Sequence, residues 1–175
     1  MRKELDEALC AKYPLMFRDR NAPMTHTAMC WGFCCGDGWY HLIDTLCAHL
    51  YSDYNQAKDR YEYAKECLED NTKPTFGKPM TADEVEVRRL KMEEEAERVP
   101  VVVQVKEKFG GLRFYVQAAT DKHYNYISFA ESMSYRTCEE CGAPGKRYTD
   151  GWHRVLCDIH AEMEGRGQEN EDDLE

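Results

Sequence analysis

Two pairs of potential metal ligands lie near the C-terminus, in the segment CEECGAPGKRYTDGWHRVLCDIH. Cys138 and Cys141 form a Cys-x2-Cys pair, and Cys157 and His160 form a Cys-x2-His pair after fifteen intervening residues. Two side chains at this spacing can reach one ion from a single turn of the chain, and thiolate with imidazole is a donor set that zinc favours. The spacing therefore predicts a Zn²⁺ site with these four residues as ligands.

A set of four protein ligands also limits the chemistry that the metal could perform. Catalytic zinc keeps one coordination position for water, whereas four protein ligands close the shell. His160 and Glu162 resemble the His-x-Glu of zinc deaminases, but the motif order is inverted, Thr137 replaces the expected proline, and Cys157 would displace the reactive water. We therefore expect a structural zinc and no enzymatic activity.

The residues between the two ligand pairs predict how the site is built. Asp150-Gly151 is typical of a hairpin turn, so two short strands should join the ligand pairs in a zinc-ribbon-like or treble-clef-like module over residues 137–162. The chain from 163 to 175 is rich in acidic residues and is expected to be a solvated tail.

Three of the other cysteines are candidates for a second metal site. Cys30, Cys34 and Cys35 could bind a metal together with His26, but their spacing is irregular, and burial as small apolar side chains is the alternative. Nine cysteines in a chain without a secretory signal argue against a disulfide framework and for reduced thiols.

A second functional hypothesis comes from the segment KEKFGGLRFYV, in which basic residues stand beside Phe109, Phe114 and Tyr115. Aromatic rings that stack on bases and cations that contact phosphates are what nucleic-acid binding requires. An ordinary core hairpin with basic residues on its exposed face is the alternative. The candidate nucleic-acid contacts are Lys106, Lys108, Arg113, Lys146, Arg147 and Arg154.

The N-terminal part of the chain is predicted to be helical, and its helices must position the candidate site residues. An N-terminal helix should break near Pro14, and apolar residues at three- and four-residue spacing predict one long amphipathic helix over 39–69, with Asp37 as a candidate cap. Thr81 and Glu84 form a capping-box pattern that starts a surface helix with a thin apolar face. Residues 70–99 are therefore expected to be a surface helical insertion.

Strand-forming residues follow Pro100. The pattern predicts a β-hairpin over 100–118 around Gly110-Gly111, with Val101, Val103 and Val105 on one face and Leu112, Phe114 and Val116 on another. Asp121 is a candidate cap for a helix over 121–136, in which Tyr126, Phe129, Ala130 and Met133 would share a face. We expect an α+β body over residues 1–136 that is followed by the zinc module.

The net charge and the hydropathy pattern limit the kinds of partner and the cellular location that we expect. The net charge is −10, so nucleic-acid binding would need a local basic patch rather than attraction by the whole molecule. No apolar run approaches the roughly 20 residues of a membrane span, and the first residues mix charges. These features predict a cytoplasmic protein without a cleaved signal and without a membrane partner.

Three segments resemble a group of small uncharacterised proteins encoded by bacteriophages and prophages. These segments are GFCCGDGWYHLIDTLC, VKEKFGGLRFYV and the C-terminal CxxC…CxxH module, and together they cover about half of the chain. The resemblance implies an accessory role in the cytoplasm of an infected bacterium. We therefore expect a non-enzymatic zinc protein that binds and modulates a host or phage protein, for example to counter host defence.

Overall fold

A computed structural model describes residues 1–70, 73, 75 and 78–166. Most of the expected acidic tail and part of the loop before residue 81 lie outside these residues. The helices are α1 (Lys3–Lys12), α2 (Tyr40–Leu50), α3 (Ser52–Glu69), α4 (Ala82–Arg98), α5 (Asp121–Ser134) and α6 (Asp158–Met163), with short 3₁₀ turns at Ala28–Trp31 and Asp37–Trp39. The strands are β1 (Phe33–Cys34), β2 (Val101–Lys108), β3 (Gly111–Gln117), β4 (Lys146–Tyr148) and β5 (Arg154–Leu156).

The mixture of helices and strands confirms the α+β class. The main core lies between α1, α2, α5 and a sheet built from the first three strands. Trp39, Ile43 and Leu9 are completely buried in it, together with Val105 and Leu112 from the sheet. Burial of such large apolar side chains supplies the main stabilisation of this part of the chain.

The predicted hairpin is present, but its turn is Phe109-Gly110 rather than Gly110-Gly111, because Gly111 pairs with Lys108. The hairpin also gains a third strand. β2 and β3 are antiparallel, and the two-residue strand β1 pairs with β2 in parallel, with Phe33 opposite Val105. The free edge of β3 is covered by α5, because the backbone N–H of Leu112 donates to Ser134 Oγ at 2.9 Å and that of Phe114 donates to Glu131 Oε1 at 3.0 Å. This cover leaves little of the edge for pairing with another chain.

The prediction that Val101, Val103 and Val105 share one face of β2 is wrong at Val103. The register of β2 against β3 shifts between Val102 and Gln104, which marks a β-bulge. The bulge changes the alternation of side chains, so that Val102 is buried and Val103 is only half-buried. Leu112 and Phe114 of β3 are buried as expected.

The predicted single helix over 39–69 is two helices, which separate at Tyr51. Tyr51 has φ −98° and ψ −3°, in the bridge region of backbone space, and the Ser52 hydroxyl donates to the carbonyl of His49 at 2.9 Å. The Tyr51 ring is buried edge-on against Tyr13 at 5.5 Å. The interruption sends α2 onto α5 and α3 onto α4.

The capping box of α4 is present, since the Thr81 side chain accepts from the backbone of Glu84 and the Glu84 carboxylate accepts from that of Thr81. No residue of α4 is buried, which confirms the expected thin apolar face. Exposed ion pairs such as Arg89–Glu86 at 2.7 Å and Lys91–Glu95 at 2.7 Å line the helix.

Two expected caps differ from the structure. Thr120, and not Asp121, caps α5, because its side chain accepts from the backbone N–H of His123. Asp37 does not cap α2 and instead accepts from the backbone N–H of Arg2 at 2.7 Å. The prediction that Phe129 shares the packing face of α5 is also wrong, because this residue is 67% exposed.

Candidate metal centre

The first ligand pair lies in a tight turn that follows α5. The backbone N–H of Gly142 donates to the carbonyl of Cys138 at 2.8 Å, and that of Cys138 donates to the carbonyl of Ala143 at 2.8 Å. Gly142 has φ +77°, a left-handed conformation that glycine adopts without strain. The turn directs Cys138 and Cys141 toward the same point.

The second ligand pair lies at the start of α6. The β4–β5 hairpin returns the chain to the first turn, as Asp150-Gly151 predicts, and Cys157 then occupies the N-cap of α6. His160 follows one helical turn later on the same side as Cys157. A hydrogen bond from the backbone N–H of His160 lowers the pKa of the Cys157 thiol, which favours the thiolate that a metal binds.

The four predicted ligands lie together. Their ligand atoms are all within 4.8 Å of one another. Cys141 Sγ and Cys157 Sγ are 3.8 Å apart, Cys138 Sγ lies 3.6 Å from His160 Nδ1, and Cys157 Sγ lies 3.2 Å from the same nitrogen. The arrangement could hold a metal ion.

A small apolar cluster surrounds the centre. Its buried members are Cys138, Leu156, Cys157 and Ala161, and Ala143 and Tyr148 pack against it. Two of the four buried residues are themselves candidate ligands. Apart from the metal ligands, the segment therefore has very little core of its own.

The loop at residues 36–39 packs directly against the first ligand turn. The backbone N–H of Gly36 donates to Glu139 Oε1 at 2.9 Å, and that of Gly38 donates to the carbonyl of Glu139 at 2.7 Å. The indole Nε1 of Trp39 donates to the carbonyl of Thr137 at 2.8 Å. These bonds join the metal centre to the main core, since Trp39 is completely buried there.

The close approach of this loop explains its glycines. A Cβ at Gly38 would lie 2.3 Å from the carbonyl oxygen of Cys138, 2.4 Å from the nitrogen of Gly142 and 2.6 Å from that of Cys141. All three are backbone atoms of the ligand turn, so they cannot move aside as a flexible side chain could. The position therefore admits only glycine without a shift of the loop.

Glu139 stands between two candidate ligands and is 6% exposed. Burial raises the pKa of its carboxyl group, although bonding to Gly36 and the charge of Arg154 act in the opposite direction. Arg154 lies 3.8 Å from Glu139 and also pairs with Glu140 and, at 2.5 Å, with Glu164. The network of charges ties β5 to the ligand turn and to the end of α6.

The second metal site left open by the sequence does not form. Among the described residues, the C-terminal four are the only group of three or more side chains with metal-ligand geometry. Cys30 Sγ donates to the carbonyl of Thr27 at 3.3 Å, and His26 contacts Asp19 at 3.1 Å. Cys35 is buried, and its burial raises the pKa of the thiol to about 12.

The six basic residues proposed as nucleic-acid contacts fall into two groups. Lys146 pairs with Asp158 at 3.1 Å, and Arg154 pairs with three glutamates, so carboxylates already neutralise both. Within the described ranges, the remaining four have no ion pair with a carboxylate and lie over aromatic rings instead. These four are Lys106, Lys108, Arg113 and Arg147.

No helix in the described part of the chain is both long and apolar enough to cross a membrane. No family model, curated protein or solved structure matches the chain. The function must therefore be inferred from the metal-ligand cluster and from the surfaces around it.

Proposed function

We propose that the chain is a non-enzymatic binding protein whose C-terminal segment is folded by one structural Zn²⁺. The observation that carries this proposal is the convergence of three sulfurs and one imidazole nitrogen. A regular tetrahedron with the 3.8 Å edge that separates Cys141 Sγ from Cys157 Sγ has its centre about 2.3 Å from each corner, which matches a zinc–thiolate bond.

The donor set supports zinc as the metal. Mg²⁺ and Ca²⁺ prefer oxygen ligands, and none of the four donors is oxygen. Thiolates with one imidazole in a tetrahedral arrangement are typical of structural zinc in zinc-ribbon and treble-clef modules. Cys138, Cys141, Cys157 and His160 would hold the ion.

The role of the zinc would be structural. All four positions of a tetrahedral shell are filled by protein donors, so no position remains for a water that could be activated. The surrounding core of four buried residues is too small to fold the segment on its own. Metal binding would supply the free energy that the apolar core lacks.

The proposed setting is a bacterial cytoplasm during phage infection, where the chain would bind and modulate a host or phage protein. Support comes from the sequence resemblance and from α4, a surface helix that exposes apolar Val87 and Leu90 between ionised side chains. Contiguous apolar patches that are rimmed by polar residues mark docking sites, and Val87 and Leu90 would lie within such a patch.

Metal analysis tests the zinc part of the proposal. The purified chain should contain close to one zinc per molecule by elemental mass spectrometry, because one tetrahedral donor set is present among the described residues. Prolonged dialysis against a chelator should remove the ion, and the C-terminal segment should then lose its protection from protease. A folded chain that contains no metal, or another metal in stoichiometric amount, would refute this part of the proposal.

An affinity capture experiment tests the partner. The tagged chain would be recovered from bacterial lysate with and without phage infection, and each sample would be divided and treated with or without nuclease. We expect a protein in stoichiometric amount that survives the nuclease. If enrichment disappears with the nucleic acid, the protein-partner proposal fails.

A further inference from the structure

Two hairpin tips meet at the surface of the chain. The first is the Phe109-Gly110 turn between β2 and β3, and the second is the turn between β4 and β5. A Cβ at Gly110 would lie 3.4 Å from backbone atoms of both His153 and Arg154, so the tips are in van der Waals contact. The rings of Phe109 and His153 have centroids 6.3 Å apart.

Both tips present aromatic rings to solvent. Phe109 is 62% exposed and Trp152, the residue before His153, is 73% exposed. Large aromatic side chains contribute most to stability when they are buried, so these two contribute little to the folding of the chain. We call the surface formed by Lys108, Phe109, Arg147, Trp152 and His153 the tip surface.

Phe109 occupies a backbone conformation that phenylalanine rarely adopts. Its φ is +55° and that of Gly110 is +77°, and the two form a two-residue hairpin loop closed by Lys108 and Gly111. Asparagine or glycine is the usual residue at the first of these positions. A bulky residue that is both exposed and in a strained conformation indicates that its side chain is used for something other than folding.

The cations near the tips are Lys108, Arg113 and Arg147, and the two arginines already donate hydrogen bonds, Arg113 to the Tyr135 hydroxyl at 2.9 Å and Arg147 to His153 Nδ1 at 3.0 Å. Lys108 Nζ lies 5.4 Å from the Phe109 ring, while the guanidinium groups of Arg113 and Arg147 lie 5.9 Å and 5.2 Å from the Tyr135 ring. In the part of the chain that the structure describes, none of the three has an ion pair with a carboxylate.

The acidic residues next to the tips are already engaged. Glu107 accepts from the backbone N–H of Gly110 at 2.6 Å, and Asp150 pairs with Arg166 at 3.4 Å. The Glu107 carboxylate is held by this hydrogen bond and makes no ion pair with Lys108 among the described residues. The charge of Asp150 is offset by that of Arg166. Lys108 and Arg147 are therefore the cationic groups that the tip surface offers to a phosphate, on a chain whose net charge is −10.

We propose that the tip surface binds single-stranded nucleic acid. Bases stack on Phe109 and Trp152, and phosphates contact Lys108 and Arg147. Aromatic platforms beside cations are the recurrent arrangement for unpaired strands, whereas a duplex keeps its base faces stacked and inaccessible. This site goes beyond the proposed function, because neither a structural zinc nor a protein partner requires it.

Substitution of Phe109 by asparagine separates folding from binding. Asparagine suits the first position of this turn, so Phe109→Asn should retain or raise the melting temperature while it removes a stacking platform. Loss of one stacked base should weaken binding about tenfold or more. The measurement is fluorescence anisotropy of a labelled oligothymidylate about 16 nucleotides long, a typical site size, titrated with the zinc-loaded full chain.

The matched control is Phe129→Gln, which removes an equally exposed phenylalanine from α5 outside the tip surface. It should leave the affinity for the oligothymidylate unchanged. Affinity should also fall as salt is added, and Lys108→Gln should reduce the slope of log affinity against log salt by about 0.7, one phosphate contact.

The outcomes separate this site from the proposed function. Absence of oligothymidylate binding at low salt, or binding that Phe109→Asn leaves intact, would overturn the proposal while the metal content remained as expected. Capture of a nuclease-resistant protein that depends on Phe109 would assign the tip surface to a protein instead, and would also overturn it. Tight binding of a fully paired duplex that matches or exceeds that of the single strand would exclude stacking as its basis.

Discussion

Replacement of Cys138 by serine should abolish stoichiometric zinc binding and unfold the C-terminal segment while the main core remains folded. Cys138 is completely buried, and a serine hydroxyl does not replace a thiolate as a zinc ligand. The binding free energy of a structural zinc is on the order of 10 kcal/mol, and a small apolar core supplies only about 3–5 kcal/mol. No other source of stability in the segment is large enough to compensate for loss of the metal.

Trypsin provides a local measurement of this effect. Lys146, Arg147 and Arg154 lie on the two strands of the segment and should be protected in the zinc-loaded chain and cleaved rapidly in Cys138→Ser. The control is Cys34→Ser, which alters an exposed cysteine outside the ligand cluster and should keep both zinc and protection. Full zinc occupancy in Cys138→Ser would show that this residue is not a ligand.

Substitution of Gly38 by alanine should separate the metal centre from the main core. The added methyl group would meet three backbone atoms of the ligand turn at 2.6 Å or less, and relief requires the loop and the turn to move apart. That movement would break the bond from Gly38 to Glu139 and strain that from Trp39 to Thr137. We expect a loss of about 3 kcal/mol, or about 10 °C in melting temperature.

Zinc affinity should decrease in the same variant. The bonds from the loop orient the ligand turn, and loss of such support typically weakens metal binding by about 10- to 100-fold. The control is Gly151→Ala, where a Cβ would meet nothing within 4 Å and only the left-handed φ of +79° adds a cost, about 1 kcal/mol. Equal melting temperatures and zinc affinities for Gly38→Ala and the unaltered chain would show that the contact carries no strain.

Local signals in the sequence predict the elements whose causes are local. The Thr81 capping box, the hairpin over residues 100–118 and the paired spacing of the ligands each depend on residues a few positions apart, and the structure contains all three. Spacing alone brings Cys138 and Cys141 to one turn, and Cys157 and His160 to one helical turn. The convergence of the two pairs then follows from the short hairpin between them.

Contacts between segments that are distant in the sequence leave no local pattern from which they could be predicted. The apolar stripe continues through Tyr51, so periodicity does not reveal that the helix is interrupted at this residue, whose ring packs against Tyr13. Strand β1 has two residues and forms only because β2 offers it an edge. The contact of Gly38 with the ligand turn was also missed, although two glycines that flank Asp37 just before a tryptophan were its available signal.

The tip surface could be predicted from the sequence only in part. The sequence places basic and aromatic residues together in the first hairpin, but it does not reveal that Lys146 and Arg154, two of the other candidate contacts, pair with carboxylates. Trp152 was not singled out, because a lone tryptophan in a turn carries no periodic pattern. Only the contact between the tips brings its neighbour His153 to Phe109.

The bond between Gly36 and Glu139 joins positions that are 103 residues apart in the chain. A ribosome that adds about 5–20 residues per second needs on the order of 5–20 s to make that interval. During this time the loop that later holds the ligand turn lacks its counterpart. Assembly of the candidate metal centre onto the core is therefore a late step in folding, and the proposed zinc would be needed only at that step.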